Sequence, residues 1–294
     1  MQVTESYLSN YLSTSVSTSS TLLTQAENEL SSGLAVTQPS DNPAGTAQIL
    51  GLNDSLSNVA QYQTDSTSAS NYLSYTDSQL QSVQNLLTQA RSIAVSAANT
   101  GTQNSASEAA NATQVSSIIS QIATLANSQL NGNYIFSGTQ TSTEPYTPGD
   151  TTYTYKGNSG AMTATVGPSQ EMQINTPGSA VFAPIFSALQ TLQTDITSGS
   201  GTKISSDLTG IDTANDNLSQ VRANIGSNVN QLSDINSRLG TVTGDLQNQL
   251  SSVQNADIAQ VYTQLQTDQN VYQASLEATA ESFKYSLADY ITSS

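Results

Sequence analysis

From Leu218 onward the apolar side chains fall at Leu218, Val221, Ile225, Val229, Leu232, Ile235, Leu239, Val242, Leu246, Leu250 and Val253, almost always three or four apart. That spacing lays a single seam along one face of a helix. After Asn255 and Ala256 the pattern resumes at Ile258, Val261, Leu265, Tyr272, Leu276, Phe283, Leu287 and Tyr290. A second long seam runs from Thr46 to Asn99 through Leu52, Leu56, Val59, Tyr62, Ala69, Leu73, Leu80, Val83, Leu87, Ala90, Ala94 and Ala97. As one helix it would extend about 80 Å, at about 1.5 Å per residue. Ala112, Val115, Ile119, Ile122, Ala126 and Leu130 predict a shorter antiparallel return, stopped near Asn131-Gly132. Helices of this length exceed the ~10–14 residues usual in globular domains and predict a rod.

The outer segments carry weaker patterns. Residues 1–30 place Val3, Leu8, Tyr11, Leu12, Val16, Leu22, Leu23, Ala26 and Leu30 at helical spacing, interrupted by the Ser/Thr-rich run 13–21. Such side chains offer the backbone competing hydrogen bonds, so a marginal helix is expected there, loose unless a partner covers it. Ser31-Ser32-Gly33 reads as its C-terminus, and Pro39-Ser40-Asp41-Asn42-Pro43 as a rigid turn. Character changes after Tyr134. Tyr134-Ile135-Phe136, Thr152-Tyr153-Thr154-Tyr155, 162–166 and 171–174 read as short strands, with Lys156-Gly157-Asn158-Ser159-Gly160 as a hairpin turn. Helical spacing returns at Phe182, Ile185, Phe186, Leu189, Leu192 and Ile196, and Gly199-Ser200-Gly201 breaks it.

The economical fold is mainly α: a long antiparallel helical rod of coiled-coil type formed by the N- and C-terminal arms, with a small β-rich insert at the tip. Its expected parts are terminal segments 1–45 and 258–294, a helical rod of 46–136 and 185–257, and the insert 137–184. The long seams can satisfy each other inside one chain, but the terminal segments are harder to satisfy alone. Leu8, Leu12, Leu23, Leu30, Ile258, Val261, Leu265, Tyr272, Leu276, Phe283, Leu287 and Tyr290 are therefore the expected subunit-interface residues, with the segments mobile in the monomer.

Composition narrows the chemistry. The 294 residues hold only six Lys and Arg against 22 Asp and Glu, a net charge of -16. Charged residues make up 10% of the chain, and Ser, Thr, Asn and Gln nearly half. A nucleic-acid partner would need a basic footprint, and anionic lipid is disfavoured for the same reason. Without Cys, His or Trp, there is no thiol nucleophile, His-based triad, Cys/His metal site or disulfide. No Lys or Arg precedes Arg91 and no apolar run suits a cleaved Sec signal or a membrane span; export, if it occurs, is expected to use an uncleaved signal. Asp41 with Asn42, and Glu144 with Asp150, lack the ligand count that Ca²⁺ needs, and Asp41 is read as a turn or cap residue. No lysine stands in a Ser-Lys motif. Tyrosines of the insert are read as its small core, with a carbohydrate- or protein-contact role as the competing reading. No enzyme and no cofactor is implied.

Four stretches carry a resemblance. Leu30-Ser31-Ser32-Gly33-Leu34-Ala35-Val36, with Pro39-Ser40-Asp41-Asn42-Pro43-Ala44-Gly45, resembles the N-terminal signature of the flagellin-like axial proteins of the bacterial flagellum. The stretch from Arg91 to Asn99 is similar to the family's Arg-containing segment, although Ser92 stands where a neighbouring acid is usual. Asn131-Gly132-Asn133-Tyr134-Ile135-Phe136-Ser137-Gly138-Thr139-Gln140-Thr141 and the ending from Tyr272 to Tyr290 resemble the hook–filament junction members of that family. The resemblance covers both helical arms; the insert matches only in position and size. It implies a structural role in a homo-oligomeric ring between hook-associated protein 1 and flagellin, outside the cell. It also implies export by the flagellar type III system, with a chaperone on the C-terminal helix. Flagellin itself, and a glycan-binding adhesin on a helical stalk, are the alternatives.

Overall fold

The computed structural model describes residues 2–99, 104–147 and 152–292. Along these residues run α1 (Gln2–Ser32), α2 (Pro43–Ala98), α3 (Ser105–Ala126), β1 (Gln129–Leu130), β2 (Asn133–Tyr134), β3 (Thr163–Gly167), β4 (Gln170–Gln173), α4 (Gly178–Thr197), α5 (Gly201–Gln254) and α6 (Ile258–Thr292). The fold is mainly helical, with long helices and two small antiparallel sheets of two strands each. Two compact units emerge: Met1–Asn58 with Val242–Ser294, called the terminal unit below, and Val59–Thr241, the central unit. Both boundaries fall inside long helices, α2 and α5.

In the central unit the seam positions are inside. On α2, Val59, Ser66, Leu73, Leu80, Leu87 and Ala94 are buried; on α5, Ile204, Ile211, Leu218, Ile225, Leu232 and Leu239. Both rows step by seven, the repeat of helices that wind left-handed around one another. The α5 row begins at Ile204, ahead of the predicted start at Leu218. Cross-links fix an antiparallel register: Arg91 to Asp212, Gln84 Nε2 to Ser219 Oγ at 3.0 Å, and Arg222 to Asp77. Polar seam positions are satisfied by main-chain carbonyls. The buried Ser66 hydroxyl donates to the Leu232 carbonyl at 3.4 Å, and Thr76 Oγ1 to the Tyr72 carbonyl at 2.9 Å.

The two short helices complete the core. Asn104 caps α3 by accepting the Ser107 amide at 2.9 Å. Val115, Ile118, Ile119 and Ile122 of α3 and Ile185, Leu189, Leu192 and Ile196 of α4 are all buried. Each such side chain contributes roughly 1.5–3 kcal/mol, so these rows outweigh every exposed ion pair in the unit. Pro184 lies inside α4, where its ring removes a backbone donor, yet the helix begins ahead of it at Gly178.

The insert departs from the predicted strands. β1 pairs with β2 across Asn131-Gly132, and β3 with β4 across Pro168-Ser169. Lys156 to Gly160 is thus not the hairpin turn. Thr152 to Tyr155 forms no strand because Tyr153 has φ 47°, which breaks an extended backbone. Both tyrosines of that stretch serve packing: the Tyr153 ring stacks on Phe186 at 4.5 Å, and Tyr155 Oη donates to the Phe136 carbonyl at 2.9 Å. Ile135 and Phe136 follow β2 as buried anchors outside any strand. Tyr146, 1% exposed, packs against Phe182 and Phe186 and donates to the Gly178 carbonyl at 3.2 Å. Burial raises its phenol pKa well above the ordinary value, and pushes that of Tyr72 up to about 12. The aromatics are therefore the insert's core.

Asn158 closes this core from outside: its Oδ1 accepts the amides of Thr139 at 2.9 Å and Gly160 at 3.1 Å. Gly138 is required beside it, since φ is 71° and a Cβ would collide with the Asn158 carbonyl. Tyr72 Oη and Tyr75 Oη of α2 donate to the carbonyls of Ile135 and Gln129. These bonds set the insert at the α3 C-terminal and α4 N-terminal end of the short helices and beside the middle of α2. The expected tip is thus the tip of α3 and α4.

Candidate assembly surface

The terminal unit is built from α1, α6 and the adjoining ends of α2 and α5. The Ser/Thr run at 13–21 lies within α1, and α6 is the partner that covers it. The run's threonines return their hydroxyls to the helix: Thr14 to the Asn10 carbonyl, Thr18 to Thr14 and Thr21 to Ser17, at 2.8–3.0 Å. Bonding of this kind spends the competing hydroxyl inside the helix. At its end Gly33, φ 72°, donates to the Glu29 carbonyl at 2.8 Å.

Two connectors then meet. Leu34 and Asn255 form an antiparallel bridge, flanked by Ala35 N to the Gln254 carbonyl at 2.8 Å and Ala256 N to the Gly33 carbonyl at 2.9 Å. On one side of this clasp Asp41 organises the turn to α2. Its carboxylate accepts the amides of Thr37 and Gln38 and the Thr37 hydroxyl at 2.8 Å, which together hold its pKa below the ordinary value. Asn42 Oδ1 caps α2 by accepting the Gly45 amide at 2.8 Å, with Pro43 at the first helical position. The turn or cap role read for Asp41 stands, and the cap of α2 itself falls to Asn42. On the other side Asp257 Oδ1 caps α6 through the Ala259 amide at 3.0 Å. A cavity of about 210 Å³ lies beside the clasp, lined by Ala26, Glu29, Ala35, Ala256, Asp257 and Val261 among others.

Past the clasp α1 packs on α6. Among the described side chains, the covered or half-covered positions of α1 are Ser9, Leu12, Ser15, Val16, Ser19, Ser20, Leu23, Ala26, Glu29 and Leu30, and those of α6 are Val261, Leu265, Asp268, Gln269, Tyr272, Ser275, Thr279 and Ser282. Within each set runs a row that steps by threes and fours, as in a coiled coil. Of the predicted interface residues, Leu12, Leu23, Leu30, Val261, Leu265 and Tyr272 turn into this intramolecular seam. Ile258 and Leu276 face outward, 48% and 42% exposed. The side chains of Leu8, Phe283, Leu287 and Tyr290 lie outside the described residues. Tyr7, Tyr11, Leu22, Tyr262 and Val271 are also exposed. Most stand one position off the seam, a signal that stepping by threes and fours overlooks.

Charge is one-sided here. Residues 1–58 contain no Lys or Arg, and 242–294 only Lys284. Among the described residues no cluster of three or more His, Cys, Asp or Glu could hold a metal, and no helix is long and apolar enough to cross a membrane.

The profile of the bacterial flagellin N-terminal helical region matches residues 3–141, and that of the C-terminal helical region residues 208–291. The chain belongs to the bacterial flagellin family. The two family regions contain α1 and α6, whereas residues 142–207, with the β3–β4 hairpin and α4, fall between them. Flagellar hook-associated protein 3 of Salmonella typhimurium is 32% identical over 160 residues, 54% of this chain and 50% of that protein. The match thus spans about half the length of that relative. Flagellar hook-associated protein 3 of Escherichia coli is 27% identical over 237 residues, 71% of this chain and 74% of that protein. A solved structure described as a flagellar hook-associated protein from Vibrio parahaemolyticus shares the fold, with a TM-score of 0.68 at 23% identity over 73% of this chain and 100% of that one.

Proposed function

We propose that this chain is a junction subunit of the bacterial flagellum, a structural adaptor of the hook-associated protein 3 type. It works as a homo-oligomeric ring joining hook-associated protein 1 to the flagellin filament, outside the cell. The observation that carries this reading is the terminal unit of a flagellin-family chain: an acidic helix pair with outward-facing Tyr7, Tyr11, Leu22, Tyr262, Val271 and Leu276. Apolar and aromatic side chains left outward on a helix pair suit burial between subunits. Hook-associated protein 3, rather than flagellin, is the name borne by the two curated relatives described above, which favours the junction over the filament. The role is assembly without catalysis.

Export by the flagellar type III system, with a chaperone holding α6 until secretion, belongs to the same reading. So does the division of labour along the chain, in which 1–45 and 258–294 complete their order on assembly while the helices between them stay folded. A deletion strain tests the proposal. Cells lacking the gene are expected to keep hooks, shed unassembled flagellin into the medium and regain filaments on complementation. Normal filaments in the deletion strain would refute the junction role, and loss of the flagellin subunit itself would favour the filament reading.

A further inference from the structure

The chain holds one Asn-Gly pair, Asn131-Gly132. In such a pair the carboxamide carbon of the first residue and the backbone nitrogen of the second can close a five-membered ring, because glycine has no side chain to shield that nitrogen. Both residues are exposed, at the turn of the β1–β2 hairpin. A Cβ added at Gly132 would meet nothing within 4 Å, and the Gly132 N–H donates no backbone hydrogen bond among the described residues. Water and base can reach the nitrogen.

The backbone at the pair forbids that ring. φ is 53° at Asn131 and 81° at Gly132, and Leu130 faces Asn133 in the ladder. A two-residue loop with both φ positive is a type I′ turn. In the left-handed region ψ is about +30 to +60°, which sets the Gly132 nitrogen almost anti to the Asn131 Cβ, at a torsion of about 150–180°. Ring closure needs the two eclipsed. The carboxamide hangs from Cβ, so no rotamer of its own closes the gap. Rotating ψ that far carries Leu130 out of register with Asn133 and opens the hairpin. Closure is held by Ile135 N, which donates to the Ser128 carbonyl at 3.1 Å, and by Tyr75 Oη, which donates to the Gln129 carbonyl at 3.1 Å.

We infer that Asn131 is a latent deamidation site, closed by the β1–β2 turn and released when the hairpin opens. In the open form base removes the Gly132 amide proton, and the nitrogen attacks Asn131 Cγ. An N–Cγ bond forms, the Cγ–Nδ2 bond breaks, and ammonia leaves with a proton from water. Water then hydrolyses the succinimide. Cleavage of the N–Cγ bond gives aspartate, and cleavage at the main-chain carbonyl gives isoaspartate. One water is consumed and one ammonia released, with no change of oxidation state. Aspartate keeps the main chain and can return to the left-handed turn. Isoaspartate adds a methylene to the main chain, so Leu130 and Asn133 no longer fit a two-residue turn. Opening thus leaves a permanent mark.

Incubating the full chain at mildly alkaline pH, beside a synthetic peptide of residues 127–136, tests the site. Conversion is read from the mass gain of the proteolytic fragment carrying residue 131 and from its methylation by isoaspartyl methyltransferase. Asn131 is expected to convert at least tenfold more slowly in the folded chain than in the peptide. Urea added below the unfolding transition is expected to raise its conversion in step with hydrogen exchange of the Ile135 amide, which reads opening of the same hairpin. Conversion of the folded chain at the peptide's rate overturns closure by the turn. A peptide that keeps Asn131 intact overturns the lability of the pair. Conversion that stays constant while the Ile135 amide exchanges faster overturns the gate.

Discussion

Two arginines show how much environment decides the worth of an ion pair. Arg222 is 24% exposed and Asp77 34%; their bonds are 2.8 and 3.0 Å, and Arg222 Nη1 also reaches Gln84 Oε1 at 2.6 Å. Arg222→Ala leaves the Asp77 carboxylate and the Gln84 amide oxygen without their donor, and about 1.5–2 kcal/mol of stability is expected to go with it. A urea melt followed by far-UV circular dichroism measures the loss. Arg91 and Asp212 are about half exposed, 50% and 47%, despite a 2.7 Å contact. Arg91→Ala is expected to cost clearly less, with an effect that fades in 1 M salt. The hydrogen bond from Arg91 holds the Asp212 carboxyl below its ordinary value of 3.8. A lowered carboxylate contributes fully above that value and loses its contribution as pH falls through the folded-state pKa. Melting temperatures from pH 6 to pH 2 are therefore expected to separate natural chain and Asp212→Asn at the upper end and converge at the lower. Divergence on acidification would contradict the pairing. None of this was legible in sequence: Ser92 beside Arg91 suggested a missing acid, and the acid comes from 121 residues away.

Among the elements, long helices were the most legible. Their period of three and four, sharpened to sevens in the folded chain, is set by burial that any partner helix imposes. The short strands were the least legible, because alternating Thr and Tyr at 152–155 satisfy a strand pattern as well as a loop whose rings all turn to one core. A left-handed residue such as Tyr153 leaves no mark in composition. In α1 the hydroxyl-rich stretch would weaken the helix only where its bonds left it, and here they return. The outward side chains of α6 belong to this scale too. Leu276→Asp places a carboxylate at a half-exposed position, so the melting of the central unit is expected to stay within about 0.5 kcal/mol of the natural chain. Burial of that unpaired charge in a subunit contact would cost several kcal/mol, enough to abolish filament attachment. Motility of cells carrying the substitution decides the matter, and full motility would exclude Leu276 from the interface.

At the scale of the whole molecule, the central unit is a single continuous stretch, Val59–Thr241, that contains nearly all of the buried aliphatic rows and the aromatic core. Expressed alone, that stretch is expected to melt cooperatively with the midpoint of the principal transition of the full chain. A fragment that remains unfolded would show that its core depends on the terminal unit. The family and the helical architecture could be read before any coordinates, since both rest on repeated spacing and on turn residues with few alternatives. Which apolar residues face the chain itself and which face outward could not, because that choice is made by the pairing of segments far apart.

The terminal unit joins α1, which ends at Ser32, to α6, which begins at Ile258. During synthesis the first helix leaves the ribosome more than two hundred residues before its partner exists. For all that time its seam is open, and no intramolecular pairing of the two helices can precede the synthesis of α6. At ~5–20 residues per second the delay is at least on the order of ten seconds. The pairing that closes last in the making of the protein is thus the one on which the proposed junction role rests.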